Sequence, residues 1–182
     1  ITYLFLFFSL TLFSQSYHFL YLKAKKDNGL AENDLYDLLQ DNRGSIWMAT
    51  HKGISVYDGV NFKQFNKENG LPSNVINCLY EDVRGHIWIG TNRGLAVYNG
   101  VNFTTYTKEQ GLPSNFIKSI CEDGFGRLWI GTYKGGLCLL DNVNKEQSNF
   151  IPFKIDFKRG NNLTINKIIE TPDAKIYIGT DM

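Results

Sequence analysis

Lys52, Arg93 and Lys134 occupy one equivalent position of a repeating pattern, and each follows a residue of a different type: His51, Asn92 and Tyr133. An imidazole, an amide, a phenol and three cations on a constant framework are the materials of a binding surface. Three cations set side by side would form an arc that attracts an acidic or sulfated sugar. The plainer alternative is that they are solvated turn residues, as Lys and Arg mostly are. The carboxylates are more regular. Asp41, Asp82 and Asp123 each stand three residues before a glycine (Gly44, Gly85, Gly126), which suits a turn whose carboxylate accepts backbone N–H groups. Catalysis needs one asymmetric constellation of groups with shifted pKa values. The sequence offers none, so no catalytic residue is assigned and the chain is not read as an enzyme.

The remaining reactive side chains are sparse. Cys78, Cys121 and Cys138 have no CxxC or metal-like spacing and lie in apolar runs, where a free Cys behaves as a small hydrophobe. His18, His51 and His86 do not stand in a ligand spacing, so neither a metal nor a cofactor is expected. The net charge of +1 gives no electrostatic footprint for nucleic acid or a membrane surface.

The framework itself is a repeat. Ile46-Trp47-Met48-Ala49-Thr50 is followed by Ile87-Trp88-Ile89-Gly90-Thr91, Leu128-Trp129-Ile130-Gly131-Thr132 and Ile176-Tyr177-Ile178-Gly179-Thr180, the three tryptophans standing 41 residues apart. Each unit opens on Gly-Leu (Gly29, Gly70, Gly111) and reaches an Asn three residues after the Leu (Asn33, Asn74, Asn115). It then passes an apolar run, the Asp-x-x-Gly turn, the tryptophan run, a short turn, a third run, an Asp-Gly or Asn-Gly pair and a fourth run. Four strands and three tight turns at this period predict an all-β fold, a β-propeller of four-stranded antiparallel blades. The tryptophans lie mid-strand in apolar runs and are read as blade packing rather than sugar platforms. Residues 35–39 have the look of one helical turn, but their repeat equivalents hold Val75, Ile76 and Ile117, which favour strand. The Asp58-Gly59 and Asn99-Gly100 pairs suit a two-residue hairpin loop.

The expected divisions are blade 1 at 29–69, blade 2 at 70–110, blade 3 at 111–160 and the start of blade 4 at 161–182. The third unit gains a residue at Gly135-Gly136, and its fourth strand is expected near 150–155. In the fourth unit Asn166 is read as the opening Asn. That makes the unit clipped, with 11 residues to Tyr177 where Asn74 stands 14 before Trp88. Its turn, Thr171-Pro172-Asp173-Ala174, has lost both the Asp and the Gly.

About three and a half blades fall short of a ring of four to eight, so the sequence reads as part of a longer propeller. Residues 1–13 are too few to span a bilayer and suit the apolar core of a secretory signal peptide over 1–16, although a buried strand would read similarly. Residues 17–22 share the phase of the fourth strands and are expected to close the ring against its far end.

The string Asn69-Gly70-Leu71-Pro72-Ser73-Asn74, then Ile76, Glu81-Asp82, Gly85, the tryptophan run, Gly94-Leu95 and Tyr98 resembles the two-component regulator propeller repeat. The resemblance extends from about residue 17 to the end. It implies an extracytoplasmic, periplasmic sensor with paired seven-bladed propellers, an immunoglobulin-like domain, one membrane span and a cytoplasmic output, most often a histidine kinase. Further implied are an oligosaccharide ligand from glycan breakdown and a homodimer as the full-length sensor. A face bearing His51, Lys52, Asn92, Arg93, Tyr133 and Lys134 is the candidate site, and a protein-interaction scaffold is the alternative.

Overall fold

A run apolar on consecutive residues makes a strand covered on both faces. The computed structural model, which describes residues 30–32, 34–141, 149–153 and 163–181, places the tryptophan runs in that way. The first blade is β1 (Asp37–Gln40), β2 (Ile46–Thr50), β3 (Gly53–Tyr57) and β4 (Phe62–Phe65). The second is β5 (Ile76–Glu81), β6 (Ile87–Thr91), β7 (Gly94–Tyr98) and β8 (Phe103–Tyr106). The third is β9 (Ile117–Glu122), β10 (Leu128–Thr132), β11 (Gly136–Asp141) and β12 (Asn149–Phe153). A final pair, β13 (Ile165–Glu170) and β14 (Ile176–Thr180), makes a two-stranded sheet. Within each sheet the strands lie in sequence order and pair antiparallel. The first strands of successive blades lie against one another, β1 on β5, β5 on β9 and β9 on β13. The first strand is therefore innermost, as in a propeller. The expected signal segment at 1–16 and the closing strand at 17–22 lie outside the described residues, as does Asn33.

Alternation within each tryptophan strand divides the core into layers between blades. Trp47, Ala49 and Ile54 of the first blade pack with Ile76, Leu79, Ile87 and Ile89 of the second. Trp88 and Leu95 of the second pack with Ile117, Ile120, Leu128 and Ile130 of the third. Trp129 and Leu137 pack with Ile165 and Ile168 of the fourth. Each fully buried aliphatic side chain contributes about 1.5–3 kcal/mol, so these layers join the blades. Gly90 and Gly131 face the tightest point. A Cβ on Gly90 would lie 2.4 Å from the Cys78 sulfur and 2.8 Å from Ile117, and one on Gly131 would lie 2.6 Å from Ile165. The outward faces of the first and last sheets are open, with Leu38 and Tyr177 more than half exposed.

The turns are built as the carboxylate spacing predicts, with one further bond. Asp82 Oδ1 accepts from the Arg84 and His86 amides, the Gly85 amide donates to the Asp82 carbonyl, and Asp82 Oδ2 accepts from the Trp88 indole at 3.0 Å. Asp41 and Trp47 repeat that last bond at 2.9 Å, and Asp123 and Trp129 at 2.7 Å. Burial of the rings (Trp88 is 1% exposed) agrees with the packing role read from the sequence. An indole N–H buried that deeply needs an acceptor, and the turn carboxylate supplies it.

Four details differ from the sequence reading. The Asp58 loop is not a two-residue turn: four residues connect Tyr57 to Phe62, and Asp58 Oδ1 accepts from the Val60 and Asn61 amides instead of taking a left-handed backbone. A short 3-10 turn, Lys67–Asn69, precedes the Gly70-Leu71 opening, capped by the Asn66 side chain, and Lys108–Gln110 repeats it under Thr107. The fourth strand of the third blade is Asn149–Phe153, slightly ahead of its expected place. Finally, the fourth unit is not clipped. Strand pairing aligns Ile165 with Ile117 and Ile76, because each faces the Thr at the end of the next strand. From there to Tyr177, Trp129 and Trp88 the spacing is identical. Asn166 is the residue after that Ile, not the opening Asn.

Candidate functional site

Antiparallel order sends the β2–β3, β6–β7 and β10–β11 turns to the end of the blades where the inter-blade connections run. The Thr that closes each tryptophan strand sets the turn. The buried Thr50 hydroxyl donates to the Gly53 carbonyl at 2.8 Å and accepts from the Lys52 amide at 3.0 Å. Thr91 does the same for Gly94 and Arg93, also at 2.8 and 3.0 Å. The connections sit alongside. The Asn92 amide donates to the Val75 carbonyl and the Tyr133 amide to Phe116. Asn74 and Asn115 are spent on backbone, accepting from the Lys67 and Lys108 amides, as turn residues of that type should.

All six sequence-assigned residues therefore share one end of the blades, but they are not equivalent. The Lys52 ammonium pairs with Glu32 at 3.0 Å, so its charge is already answered. Arg93 is exposed. Lys134 sits in the longer turn of the third blade with a left-handed backbone (φ 55°), its amide donating to the Thr164 hydroxyl of the next blade and its ammonium 5.2 Å from the Tyr133 ring. The three recurring cations thus differ in their partners. His51 stacks on Tyr36 at a centroid distance of 3.6 Å and 11° between planes. Tyr133 lies 5.3 Å from Phe116. Asn92 Oδ1 is buried and has no hydrogen-bond partner among the described residues.

Sequence reasoning missed the residues on the innermost strands. In the second to fourth blades the pairing skips one residue near the start of the first strand, leaving Asn77, Lys118 and Asn166 as bulges. Tyr36 occupies the matching place just before β1. Asn77 Nδ2 donates to the Ile117 carbonyl of the next blade at 2.8 Å, and the Lys118 ammonium bonds to Asn166. Below them, Asp37 accepts from the Leu79 amide and Ser119 from the Ile168 amide, at 2.8 and 2.9 Å. Side chains of one blade thus satisfy inner-edge amides of the next, which the sheet itself leaves unpaired. A bulge is visible only once register is known, so no local signal marked these positions.

The thiols offer no chemistry. Burial pushes Cys78 and Cys138 up to about 12 and raises Cys121 as well, away from the thiolate that a nucleophile or metal ligand requires. Among the described residues no group of three or more His, Cys, Asp or Glu side chains could hold a metal ion, and no helix is long and apolar enough to cross a membrane.

The fold has known counterparts. Over 88% of its length the chain resembles the extracellular domain of BT3049, assigned as a hybrid two component system of B. thetaiotaomicron, with a TM-score of 0.74 and 22% identity. The chain covers 22% of that domain. A catalytically inactive virginiamycin B lyase from Staphylococcus aureus matches 85% of the chain at TM-score 0.65 and 14% identity, half of that enzyme being covered. PorZ of Porphyromonas gingivalis, a surface component of the type-IX secretion system, matches 87% at 0.64 and 15%, with 27% of it covered. These likenesses establish the propeller fold. No curated protein matches the sequence. The pattern of one family does match, at residues 29–52, 70–93 and 111–134. Each stretch runs from the Gly-Leu opening to the turn after the tryptophan strand, so three successive units of the chain match the two component regulator propeller repeat.

Proposed function

We propose that this chain is the ligand-sensing part of an extracytoplasmic propeller in a two-component sensor. On this reading it binds a glycan-derived oligosaccharide and signals to a cytoplasmic histidine kinase across the membrane, as a homodimer of the full-length protein. One observation carries the reading: three matched repeats keep an almost constant scaffold while the turn residues at one end of the blades change type, from His51 to Asn92 to Tyr133. A framework that holds variable polar and aromatic groups on one face is what ligand recognition requires. The likeness to the extracellular domain of a hybrid two component system supports the same reading. Binding would act by favouring one arrangement of the paired sensor over another. Titrating the full-length protein with neutral, uronic-acid and sulfated oligosaccharides tests this. Saturable binding of one class supports it, and absence of binding across all classes rejects it.

A second reading, an interaction scaffold, is favoured by the opposite end of the blades. Val60, Val83, Val101 and Phe125, all in turns at that end, are each about four-fifths exposed. Apolar side chains presented this openly suit a protein partner. Loss of pull-down of a partner protein after Val101→Ser and Phe125→Ser, with sugar binding intact, would establish it.

A further inference from the structure

The loop between the third and fourth strands of the second blade copies that of the first, with an amide where the first has a carboxylate. Asn99 Oδ1 accepts from the Val101 and Asn102 amides at 3.0 and 2.8 Å, and Asp58 Oδ1 accepts from Val60 and Asn61 at 2.8 and 2.6 Å. The Asn99 amide donates to the Asn102 carbonyl at 3.3 Å, and the Asp58 amide to Asn61 at 3.2 Å. The Tyr98 and Tyr57 hydroxyls close the loops on the Gly100 and Gly59 carbonyls at 2.7 and 2.6 Å. Gly100 and Gly59 share a left-handed backbone, with φ of 94° and 99°. The loop suits a carboxylate, since donation from Asn61 and Val60 holds Asp58 below its ordinary pKa.

An asparagine followed by glycine can be attacked at its own carboxamide carbon by the next backbone nitrogen, because glycine has no Cβ to obstruct the approach. Attack puts negative charge on Oδ1, and two backbone N–H groups already point at Asn99 Oδ1 at distances suited to stabilising it. Asn99 and Gly100 are both exposed, and the Gly100 amide donates in none of the bonds that hold the loop. The Arg43 guanidinium of the first blade lies 3.8 Å from where a Cβ on Gly100 would stand, a cation that favours loss of the amide proton. Asn69-Gly70 is the contrasting pair. There the Gly70 amide is engaged with the Lys67 carbonyl at 3.1 Å, and Asn69 Oδ1 accepts from the Asn66 amide at 2.9 Å.

We propose that Asn99 is a site of spontaneous deamidation, which converts the loop of the second blade to the carboxylate form that the first blade carries at Asp58. The Gly100 nitrogen loses its proton and bonds to the Asn99 carboxamide carbon. The bond from that carbon to Nδ2 breaks, and the side-chain nitrogen leaves as ammonia with the proton returned to it. Water then opens the resulting five-membered imide at either carbonyl, giving aspartate or isoaspartate. No oxidant or metal enters, and water is the co-reactant. The product carries one more negative charge on the Arg43 side of the first and second blades. The inference stands apart from the sensor reading, since it rests on the geometry of one loop.

The test ages the full-length protein at pH 6 and pH 9 and follows its peptides by mass spectrometry. The peptide holding Asn99 is expected to gain the mass of an amide turned to an acid, faster at pH 9. It should do so about fivefold or more faster than the peptide holding Asn69, the factor that one net hydrogen bond of about 1 kcal/mol on the Gly70 nitrogen represents. Asn28-Gly29, outside the described residues, falls in a separate peptide. Asn99→Asp should melt with the parent at pH 7 and elute in ion exchange with the acidic form of the aged parent, and Asn99→Gln should remove that form. An Asn99 amide that survives while Asn69 converts, or equal rates at the two, would overturn the assignment. A lowered melting temperature in Asn99→Asp would overturn it too, by showing that this loop does not hold a carboxylate as the first blade's does.

Discussion

Glu122, the last residue of β9, accepts a hydrogen bond from the Val83 amide in the turn of the preceding blade (Oε2–N 2.8 Å). Glu81 does the same for Asn42 and Glu170 for Gly124. In the second, third and fourth blades a carboxylate immediately ahead of the first turn thus fastens that blade to the turn before it. Burial raises the pKa of Glu122, while the Val83 amide works against that rise. Protonation of Glu122 therefore adds stability that is complete below its unfolded pKa, near 4.5, and is lost as pH rises through the higher folded value, while the hydrogen bond from Val83 stays in place.

Replacing the acid while keeping the acceptor isolates that link. Glu122→Gln should stay within about 1 kcal/mol of the parent near neutral pH, because its amide oxygen still faces Val83. Glu122→Ala leaves the Val83 amide without its partner and should cost about 1–2 kcal/mol. Chemical denaturation at pH 7 separates the two, and equal stability of both variants would remove the link from the account.

Asp123 carries the opposite sign. Burial pushes its pKa up, but the Trp129 indole, the Arg127 backbone and side chain and the Phe125 amide outweigh that and hold it below the ordinary value. Its contribution is present above the unfolded pKa, near 3.8, and disappears as pH falls through the depressed folded value. Asp123→Ala should destabilise the chain by about 2–4 kcal/mol, since it also strands the buried Trp129 indole N–H. The loss should shrink on acidification, which melting curves from pH 7 down to pH 3 will show.

Gly90→Ala should be costly and Gly179→Ala nearly silent. A methyl at 90 meets the Cys78 sulfur and Ile117 within 3 Å, whereas the nearest atom at 179 is 3.8 Å away. Overpacking of this kind costs about 1–3 kcal/mol. Paired thermal melts decide it, and equal effects would contradict the close inter-blade approach.

The thiols should be silent in the native protein. With Cys78 and Cys138 pushed up to about 12 and Cys121 also raised by burial, iodoacetamide at pH 8 should label none of the three until denaturant is added. Mass spectrometry before and after unfolding reads the result, and rapid native labelling would show that a blade opens.

What was legible came from interactions within a few residues. The Asp-x-x-Gly turn, the tryptophan strand and the Thr-held turn each complete their hydrogen bonds over two to six residues, as from Asp82 to Trp88. They therefore print themselves in every unit, and the four-stranded blade could be written down from them. Where a unit loses those residues the reading slipped. Without its Asp and Gly, the fourth unit still forms the turn from the Ala174 amide to the Thr171 carbonyl, with Ala174 left-handed at φ 59°. Asn166, which resembles the opening Asn of the other units, belongs to the strand.

The amino-acid sequence by itself determined the period, the strands, the turn chemistry and the burial of the tryptophans, because local hydrogen bonds and alternation need no knowledge of distant neighbours. It also marked His51, Asn92 and Tyr133 as variable against a constant background. Only the tertiary structure decided which groups are spent and which are free. Lys52 is answered by Glu32, Asn77 turns to Ile117, Lys118 turns to Asn166, and the Asn92 carboxamide oxygen has no partner among the described residues. Apart from the first, these outcomes depend on bulges in strand register and on how one blade's inner edge meets the next, roughly one repeat away along the chain. At that separation no spacing rule links the partners, and packing alone brings them together.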